Sequence, residues 1–300
     1  MLDPDALYEI EPDLPDLGRP VLVIALDGFV DAGAARRLAI EHLLASDEPT
    51  DVVTFDVDQL HDYRARRPPM LFVEDHWETY ADPSLTVKAL RDDAGTPFLL
   101  LTGPEPDVQW ERFALAVRHV VERLGVRMTI GLNAIPMAVP HTRPVGVIAH
   151  GSDPDLVKGF DPWVATVQVP GAAAHLVEFR LGQAGIPAVG FAVHVPHYVA
   201  QAAYPAAAEA LLHAVERVSG LTFTTAALTE AAAETRRLID EQVGDSAEVH
   251  AVVAALEESY DAFVAGRGGL LPDGRPLPTA EELGAELERF LAEQPRPGDT

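Results

Sequence analysis

Runs of apolar and β-branched residues alternate along the chain with segments of helical periodicity. The runs lie at residues 21–26, 52–57, 98–102, 128–132, 145–149, 164–169 and 187–195. A helical pattern over residues 34–45 follows the first run, and another begins at Trp110 after the third. Apolar strands separated by helices are typical of a mostly parallel sheet that is covered on both faces. The pattern therefore predicts an α/β protein.

One region departs from this alternation before the sheet pattern ends. Residues 70–74 and 85–90 flank an acidic and aromatic turn region, EDHWETYADPS. We expect these two segments to form a β-hairpin insertion rather than part of the central sheet.

The strand pattern ends after Gly220, and the rest of the chain has helical periodicity. Residues 225–243, 247–264 and 280–292 are predicted to be amphipathic helices. Asp245 with Glu248, and Thr279 with Glu282, have the spacing of a capping box at a helix start. The sequence thus predicts a core domain over residues 1–222 with the hairpin near 70–90, a helical C-terminal part over 223–296, and a frayed tail at 297–300.

Charge and composition exclude several classes of partner. The chain has 22 Lys and Arg against 47 Asp and Glu, so its formal net charge is −25. An acidic surface disfavours binding to nucleic-acid phosphates and to anionic membranes. The absence of cysteine removes disulfides and thiolate metal sites. Because no signal peptide and no apolar run of membrane-spanning length is found, we expect a cytoplasmic protein.

Polar and conformationally special residues follow several predicted strands. Ligands of open α/β sheets bind at the carboxyl ends of the strands, so we expect these segments to meet at one rim. His150, His197 and Asp31 are candidates for proton transfer there. The candidate ligand-binding residues are Asp27, Gly28, Phe29, Asp31, Gly33, Glu105, Asn133, His141, Arg143, His194 and Tyr198.

A structural role competes with the functional one for the glycine-containing loop and for the histidines. Gly28 and Gly33 suit a sharp turn or the close approach of a ligand, and Asp31 suits a helix N-cap. The histidines suit either a catalytic or ligand-binding role or a structural role in packing. We favour the structural role. His194 and His197 do not have a strong metal-binding spacing at a strand end, so we predict no metal site and no cofactor.

Charged residues elsewhere also favour structural roles. In DYRARRP, we expect Arg64, Arg66 and Arg67 to pair with carboxylates of the protein rather than to clamp a ligand. Glu105 and Asp107 suit general acid–base catalysis. A structural role, in which their negative charges stabilise a helix N-terminus, explains their presence better.

No strong nucleophile is apparent in the sequence. There is no G-x-S-x-G motif. Ser152 lies next to His150 and Asp153 in sequence, but this adjacency does not establish triad geometry.

Several of these segments together resemble a known family. GFVDAG, DYRARRP, GPEPDVQW, PHTRP followed by HGS, and GFAVHVPHY occur in this order. They resemble the actinobacterial branch of the proteasome assembly chaperone family over most of residues 21–214. The resemblance implies a three-layer α/β/α core like that of purine nucleoside phosphorylases, a hairpin used for self-association, and C-terminal helices that act as a lid over the crevice. It supplies no set of catalytic residues.

Two functions remain open at this point. The first, which we favour, is a non-catalytic protein-binding or assembly-chaperone-like role. Its expected partners are further copies of the chain, with a trimer as one arrangement, and proteasome subunits or another protein. The second is an enzyme or small-ligand binder, hydrolase-like or phosphorylase-like, in the crevice under the lid. In that case the loop 28–33 and Arg143 contact the ligand, while His150 or His197 moves a proton.

Overall fold

The computed structural model describes residues 2–160 and 166–267, which contain ten strands and six α-helices. The strands are β1 (Tyr8–Ile10), β2 (Val21–Asp27), β3 (Thr50–Phe55), β4 (Met70–Val73), β5 (His76–Tyr80), β6 (Thr86–Arg91), β7 (Pro97–Pro104), β8 (Met128–Met137), β9 (Val147–Gly151) and β10 (Ala188–Pro196). The helices are α1 (Ala35–Ser46), α2 (Trp110–Arg123), α3 (Ala173–Gln183), α4 (Pro205–Ser219), α5 (Ala226–Gly244) and α6 (Ala247–Arg267).

Eight of these strands form one mixed sheet in the order β1-β3-β6-β7-β2-β8-β10-β9. The central strands β7, β2, β8 and β10 are parallel to one another. β6 and β9 run antiparallel to their central neighbours, β3 is antiparallel to β6, and β1 is antiparallel to β3. Five of the eight strands therefore point the same way, and the predicted mostly parallel sheet is confirmed.

Helices cover both faces of the sheet and complete three layers. Alternate side chains of β2 enter opposite cores, since Val23 and Ala25 pack on one side and Leu22 and Ile24 on the other. The first core also takes residues from α1, α4, α5 and α6, and the second from α2 and α3. A strand buried on both faces must be apolar throughout, which explains the sequence VLVIAL.

The C-terminal helices join the core on the α1 and α4 side. Leu228, Ile239 and Val243 of α5 and Val253 of α6 are buried there. The helices predicted over residues 225–243 and 247–264 are thus confirmed. The predicted helix at 280–292, with its capping pair, lies outside the described residues, and the predicted domain boundaries stay predictions. No helix in the described ranges is long and apolar enough to span a membrane.

The hairpin is present but its second strand was predicted wrongly. β4 pairs with β5, which belongs to the stretch expected to be the turn. Residues 86–91 instead form β6, between β3 and β7 in the main sheet. The reason is burial, because Leu85, Val87 and Leu90 are almost wholly buried whereas every residue of β5 is exposed.

Two further local predictions were wrong. Residues 166–169, the described part of the run at 164–169, form no strand. Asp245 does not start α6 but ends α5, because its N–H donates to the carbonyl of Glu241. The hydroxyl of Ser246, one residue later, accepts the N–H of Val249 at 3.4 Å.

Candidate functional site

The loop between β2 and α1 is organised by Asp31. Its carboxylate accepts the backbone N–H of Arg36 at 2.8 Å and that of Arg37 at 3.1 Å. These N–H groups lie in the first turn of α1 and have no partner within the helix. The carboxylate therefore caps α1, as the structural interpretation of this loop proposed.

Gly33 joins the same loop to the segment after β10. Its N–H donates to the carbonyl of Ala200 at 2.7 Å, and its carbonyl accepts the N–H of Tyr204 at 2.8 Å. A Cβ at position 33 would lie 2.7 Å from the Cβ of Tyr204, so the glycine permits this close approach. The side chains of Tyr204 and Val195 thus occupy the space where a side chain at position 33 would lie.

Glu105, which follows β7, reaches the same region. Its N–H donates to the carbonyl of Asp27, and its carboxylate accepts the N–H of Ala173 at the start of α3 at 2.5 Å. A Cβ on Gly28 would come within 3.3 Å of that carboxylate. Glu105 thus serves a helix N-terminus, as expected, although the helix is α3. Burial raises the pKa of Asp27, while Arg36 partly opposes the shift.

Phe29 contacts solvent in the β2–α1 loop, as do Asp27 and Gly28 before it. The residue is 83% exposed at the tip of the loop. The structure therefore gives it no part in an enclosed pocket.

Arg66 has the structural pairing that the sequence predicted. It binds the carboxylate of Asp107 at 2.8 Å and donates to the carbonyl of Glu105. Burial alone would raise the pKa of Asp107, but hydrogen bonds from Arg66 and from the N–H of Asp62 outweigh it, and the pKa is lowered. Arg64 and Arg67 are exposed.

His141 lies on the opposite side of the rim, against the C-terminal helices. Its side chain is 1% exposed. The Nδ1 atom is 2.6 Å from the hydroxyl of Tyr198, and the Nε2 atom is 2.9 Å from the carboxylate of Asp240 on α5. The same hydroxyl also accepts the backbone N–H of His141, at 2.7 Å. Burial raises the pKa of Tyr198 to about 12.

Arg143 contacts α6 from the same segment. It is 3.3 Å from Glu257 and forms a two-bond ion pair with Asp261. The hydrogen bonds raise the pKa of Arg143 and lower that of Asp261. His141 and Arg143 thus hold the C-terminal helices against the segment after β8, and their polar groups are engaged by the protein itself.

His150 does not lie at the rim, contrary to expectation. Because β9 is antiparallel to β10, His150 pairs with Gly190 and lies level with the middle of the sheet. Its Nδ1 atom is 2.7 Å from the carboxylate of Glu178 on α3. The direction of an edge strand does not follow from its apolar pattern. This is why the position of His150 relative to the rim was predicted wrongly.

His175 and Glu178 of α3 join His150 in a group that the sequence analysis missed. The rings of His150 and His175 have centroids 6.1 Å apart, and Asn133 Nδ2 is 3.4 Å from His175 Nε2. Burial, followed by the charge of His150, lowers the pKa of His175. The spacing H-x-x-E puts His175 and Glu178 on one helix face and was the available signal.

The remaining residues singled out by the sequence analysis are His197, His194 and Ser152. His197 is exposed, with its ring edge-on to Tyr198. His194 packs against Gly146, where a Cβ would lie 2.7 Å from its Nδ1 atom. The hydroxyl of Ser152 accepts the N–H of Ala188, so it stabilises a turn.

The segments after β2, β7, β8 and β10 therefore converge as predicted, but their side chains bind one another. Two clefts of the described chain lie elsewhere. One of about 390 Å³ lies beside the start of α2, and one of about 610 Å³ runs along α3. Within residues 2–160 and 166–267, no group of three His, Asp or Glu side chains is placed to hold a metal ion.

A large exposed apolar surface lies on the hairpin. The rings of Phe72 and Trp77 meet edge to face at 5.0 Å, and the two residues are 52% and 62% exposed. The apolar side chains exposed on the hairpin are Met70, Leu71, Phe72, Trp77 and Tyr80. Exposed apolar clusters of this kind mark interaction surfaces.

The described chain thus combines a three-layer fold, an exposed β-hairpin and C-terminal helices packed on the core. The chain belongs to the PAC2 family, whose sequence model matches residues 25–243. The resemblance to proteasome assembly chaperones is thereby confirmed, whereas the likeness to phosphorylases stays an expectation.

Solved structures agree with this assignment. A Mycobacterium tuberculosis protein of unknown function is 54% identical, with 87% of this chain and 91% of that chain covered and a TM-score of 0.82. A Corynebacterium glutamicum protein of unknown function is 38% identical, with coverage of 87% and 98% and a TM-score of 0.83. A Mycobacterium tuberculosis proteasome-assembly chaperone homologue is 30% identical, with coverage of 78% and 99% and a TM-score of 0.72. No curated protein matches the chain.

Proposed function

We propose that this PAC2 protein is a non-catalytic protein-binding factor that assists the assembly of a multisubunit particle in the cytoplasm. We further propose that it self-associates through the β4–β5 hairpin. The observation that carries both parts is the apolar surface of that hairpin, which is exposed on its two strands.

Physical chemistry supports a protein partner at the hairpin. A lone two-stranded hairpin is at best marginally stable in water, so this one gains stability from a surface that packs against it. Full burial of a side chain such as Phe72 contributes about 2 kcal/mol. Exposed aromatic residues, Trp77 and Tyr80 among them, are typical anchors of protein interfaces.

A second copy of the chain is the partner that we favour at the hairpin. Copies with a net charge of −25 repel one another, so their contact requires a local apolar surface. The hairpin supplies this apolar surface without any other part of the molecule having to move. A closed ring, such as a trimer, lets every hairpin be covered in the same way.

The proposed client proteins are proteasome subunits. This part rests on the relative described as a proteasome-assembly chaperone homologue, which is 30% identical over 78% of this chain. The acidic charge of the chain suits a client with a basic surface.

An enzyme at the carboxyl rim has less support. Asp31 caps a helix, His141 binds Tyr198 and Asp240, and Arg143 binds α6. Groups that are engaged in this way are not free to bind a substrate or to accept its proton.

Binding of purified proteasome subunits to the immobilised protein, measured by interferometry, tests the client. The account predicts saturable binding that weakens with salt, and failure of every subunit to bind would contradict the assembly role. Sedimentation of the double variant Phe72→Ser, Trp77→Ser tests the hairpin separately. The double variant should lose self-association, whereas Phe29→Ser removes an even more exposed ring outside the hairpin and should not.

A further inference from the structure

The cleft along α3 has an apolar wall and a polar floor. Val169, Pro170 and Phe179 contribute the wall, and Phe179 is 57% exposed. His150, His175 and Glu178 also line the cleft. Its volume of about 610 Å³ is in the range of small-molecule sites.

Two paired glycines make room for the polar floor. Gly131 of β8 and Gly190 of β10 lie opposite each other in the sheet, beneath the carboxylate of Glu178. A Cβ at position 190 would lie 2.6 Å from the Oε2 atom of Glu178 and 2.2 Å from the Cε1 atom of His150. A glycine inside a strand otherwise weakens it, so close approach of these side chains explains its presence.

The charges around the cleft select the kind of ligand. No Lys or Arg is among the described residues that line it. Arg180, next to Phe179 in sequence, is held by Glu111 at 2.5 Å. Glu178 uses its Oε1 atom to bind His150, and within the described chain no donor contacts its Oε2 atom. The half-buried carboxylate is thus an acceptor for a positively charged donor, and burial lowers the pKa of His175 beside it.

We propose that this cleft binds a small organic amine, with the ammonium group on Glu178 and the apolar body against Val169, Pro170 and Phe179. A phosphate or carboxylate ligand would be repelled by Glu178, and no Lys or Arg is among the described lining residues to offset that repulsion. The site lies apart from the hairpin and adds a small-molecule ligand to the proposed protein-binding role.

Calorimetry with tryptamine, and with indole-3-propionate as the anion of similar shape, tests this proposal. The amine should bind with a Kd below about 1 mM, and the anion should not bind in the same range. Glu178→Gln keeps the shape of the side chain and should weaken tryptamine binding about tenfold. Glu230→Gln makes the same charge change on the exposed surface of α5 and should leave binding unchanged.

A second variant and a direct readout locate the bound amine. Phe179→Ser changes an exposed side chain, so it should fold normally and weaken tryptamine binding several-fold. Tryptamine should also shift the ring NMR signals of His150 and His175 and leave those of His141 in place. No binding of tryptamine, equal binding of the anion, or unchanged affinity in Glu178→Gln would each overturn the proposal. If Glu178→Gln fails to fold, unchanged affinity in Phe179→Ser would overturn it.

Discussion

The guanidinium of Arg143 donates two hydrogen bonds to the carboxylate of Asp261, from Nε at 2.8 Å and from Nη2 at 2.7 Å. The pair joins the segment after β8 to α6, across 118 residues of sequence. Two parallel bonds fix the orientation of both groups more tightly than a single ionic contact does. Together with the contact between His141 and Asp240, this pair holds the two C-terminal helices on the core.

Arg143→Ala should loosen α6 without unfolding the sheet. The variant removes the ion pairs with Asp261 and Glu257, while the buried side chain of Val253 and the hydrogen bond from the Thr142 hydroxyl to Glu257 stay in place. Hydrogen exchange should become several-fold faster in α6 and stay unchanged in β2 and β8. Arg237→Ala removes two ion pairs within α5, with Glu234 and Glu241, and serves as the matched control. Equal protection of α6 in both variants would show that the pair does not hold the helix.

The same contact should depend on pH in the acid range. The pKa of Asp261 is lowered in the folded protein by the hydrogen bonds from Arg143. Its stabilising effect is therefore complete above the ordinary pKa of an aspartate and is lost as the pH falls through the lowered value. Exchange in α6, corrected for intrinsic rates, should rise as the protein is acidified. In Arg143→Ala this part of the acid response should disappear, and a response of the same size in both proteins would contradict the assignment.

The sequence predicted the elements that are buried on both faces. The runs at 21–26, 98–102 and 128–132 are apolar because each lies inside the sheet, so a local pattern reports their environment. β1 has only three residues at the sheet edge, and α3 has small apolar residues on several sides, so neither gave a clear signal. Which strands lie at the sheet edge, and which strands pair, depends on residues far apart in sequence. This is why residues 86–91, which form β6, were predicted as the second hairpin strand in place of β5.

The candidate site was predicted only in part for a related reason. Strand ends identify which segments meet at a rim, and Asp31 and Glu105 do meet there with their neighbours. The positions of strand ends do not show whether the side chains that meet there bind a ligand or one another. The partner of His141 lies 99 residues away in α5, and that of His150 depends on the direction of β9.

Asp31→Ala tests the capping role of Asp31, which is also a candidate for proton transfer. The variant leaves the N–H groups of Arg36 and Arg37 without their acceptor, so the free energy of unfolding should fall by about 1 kcal/mol. Asp31→Asn keeps one side-chain oxygen and should lose less. Urea denaturation measures both values. Unchanged stability in Asp31→Ala would remove the structural explanation and reopen a functional one.

Gly103→Ala tests the geometry at the end of β7. Its φ is +130°, and a Cβ would lie 2.1 Å from the carbonyl oxygen of Ser84, which is backbone and cannot move aside cheaply. The free energy of unfolding should fall by more than about 3 kcal/mol. Gly95 has φ +80° with open space around it, so Gly95→Ala should cost only ~1–2 kcal/mol. Equal losses would mean that β7 does not pass this close to Ser84.

The mass of the protein in solution tests the central claim most directly, because the exposed hairpin needs a partner surface. Light scattering behind size-exclusion chromatography should give two or more times 32.3 kDa, in a whole-number ratio, for the wild type at micromolar concentration. The same measurement on Phe72→Ser, Trp77→Ser should give one copy, with the helix content unchanged. A wild-type mass of 32.3 kDa across the concentration range would contradict self-association through the hairpin.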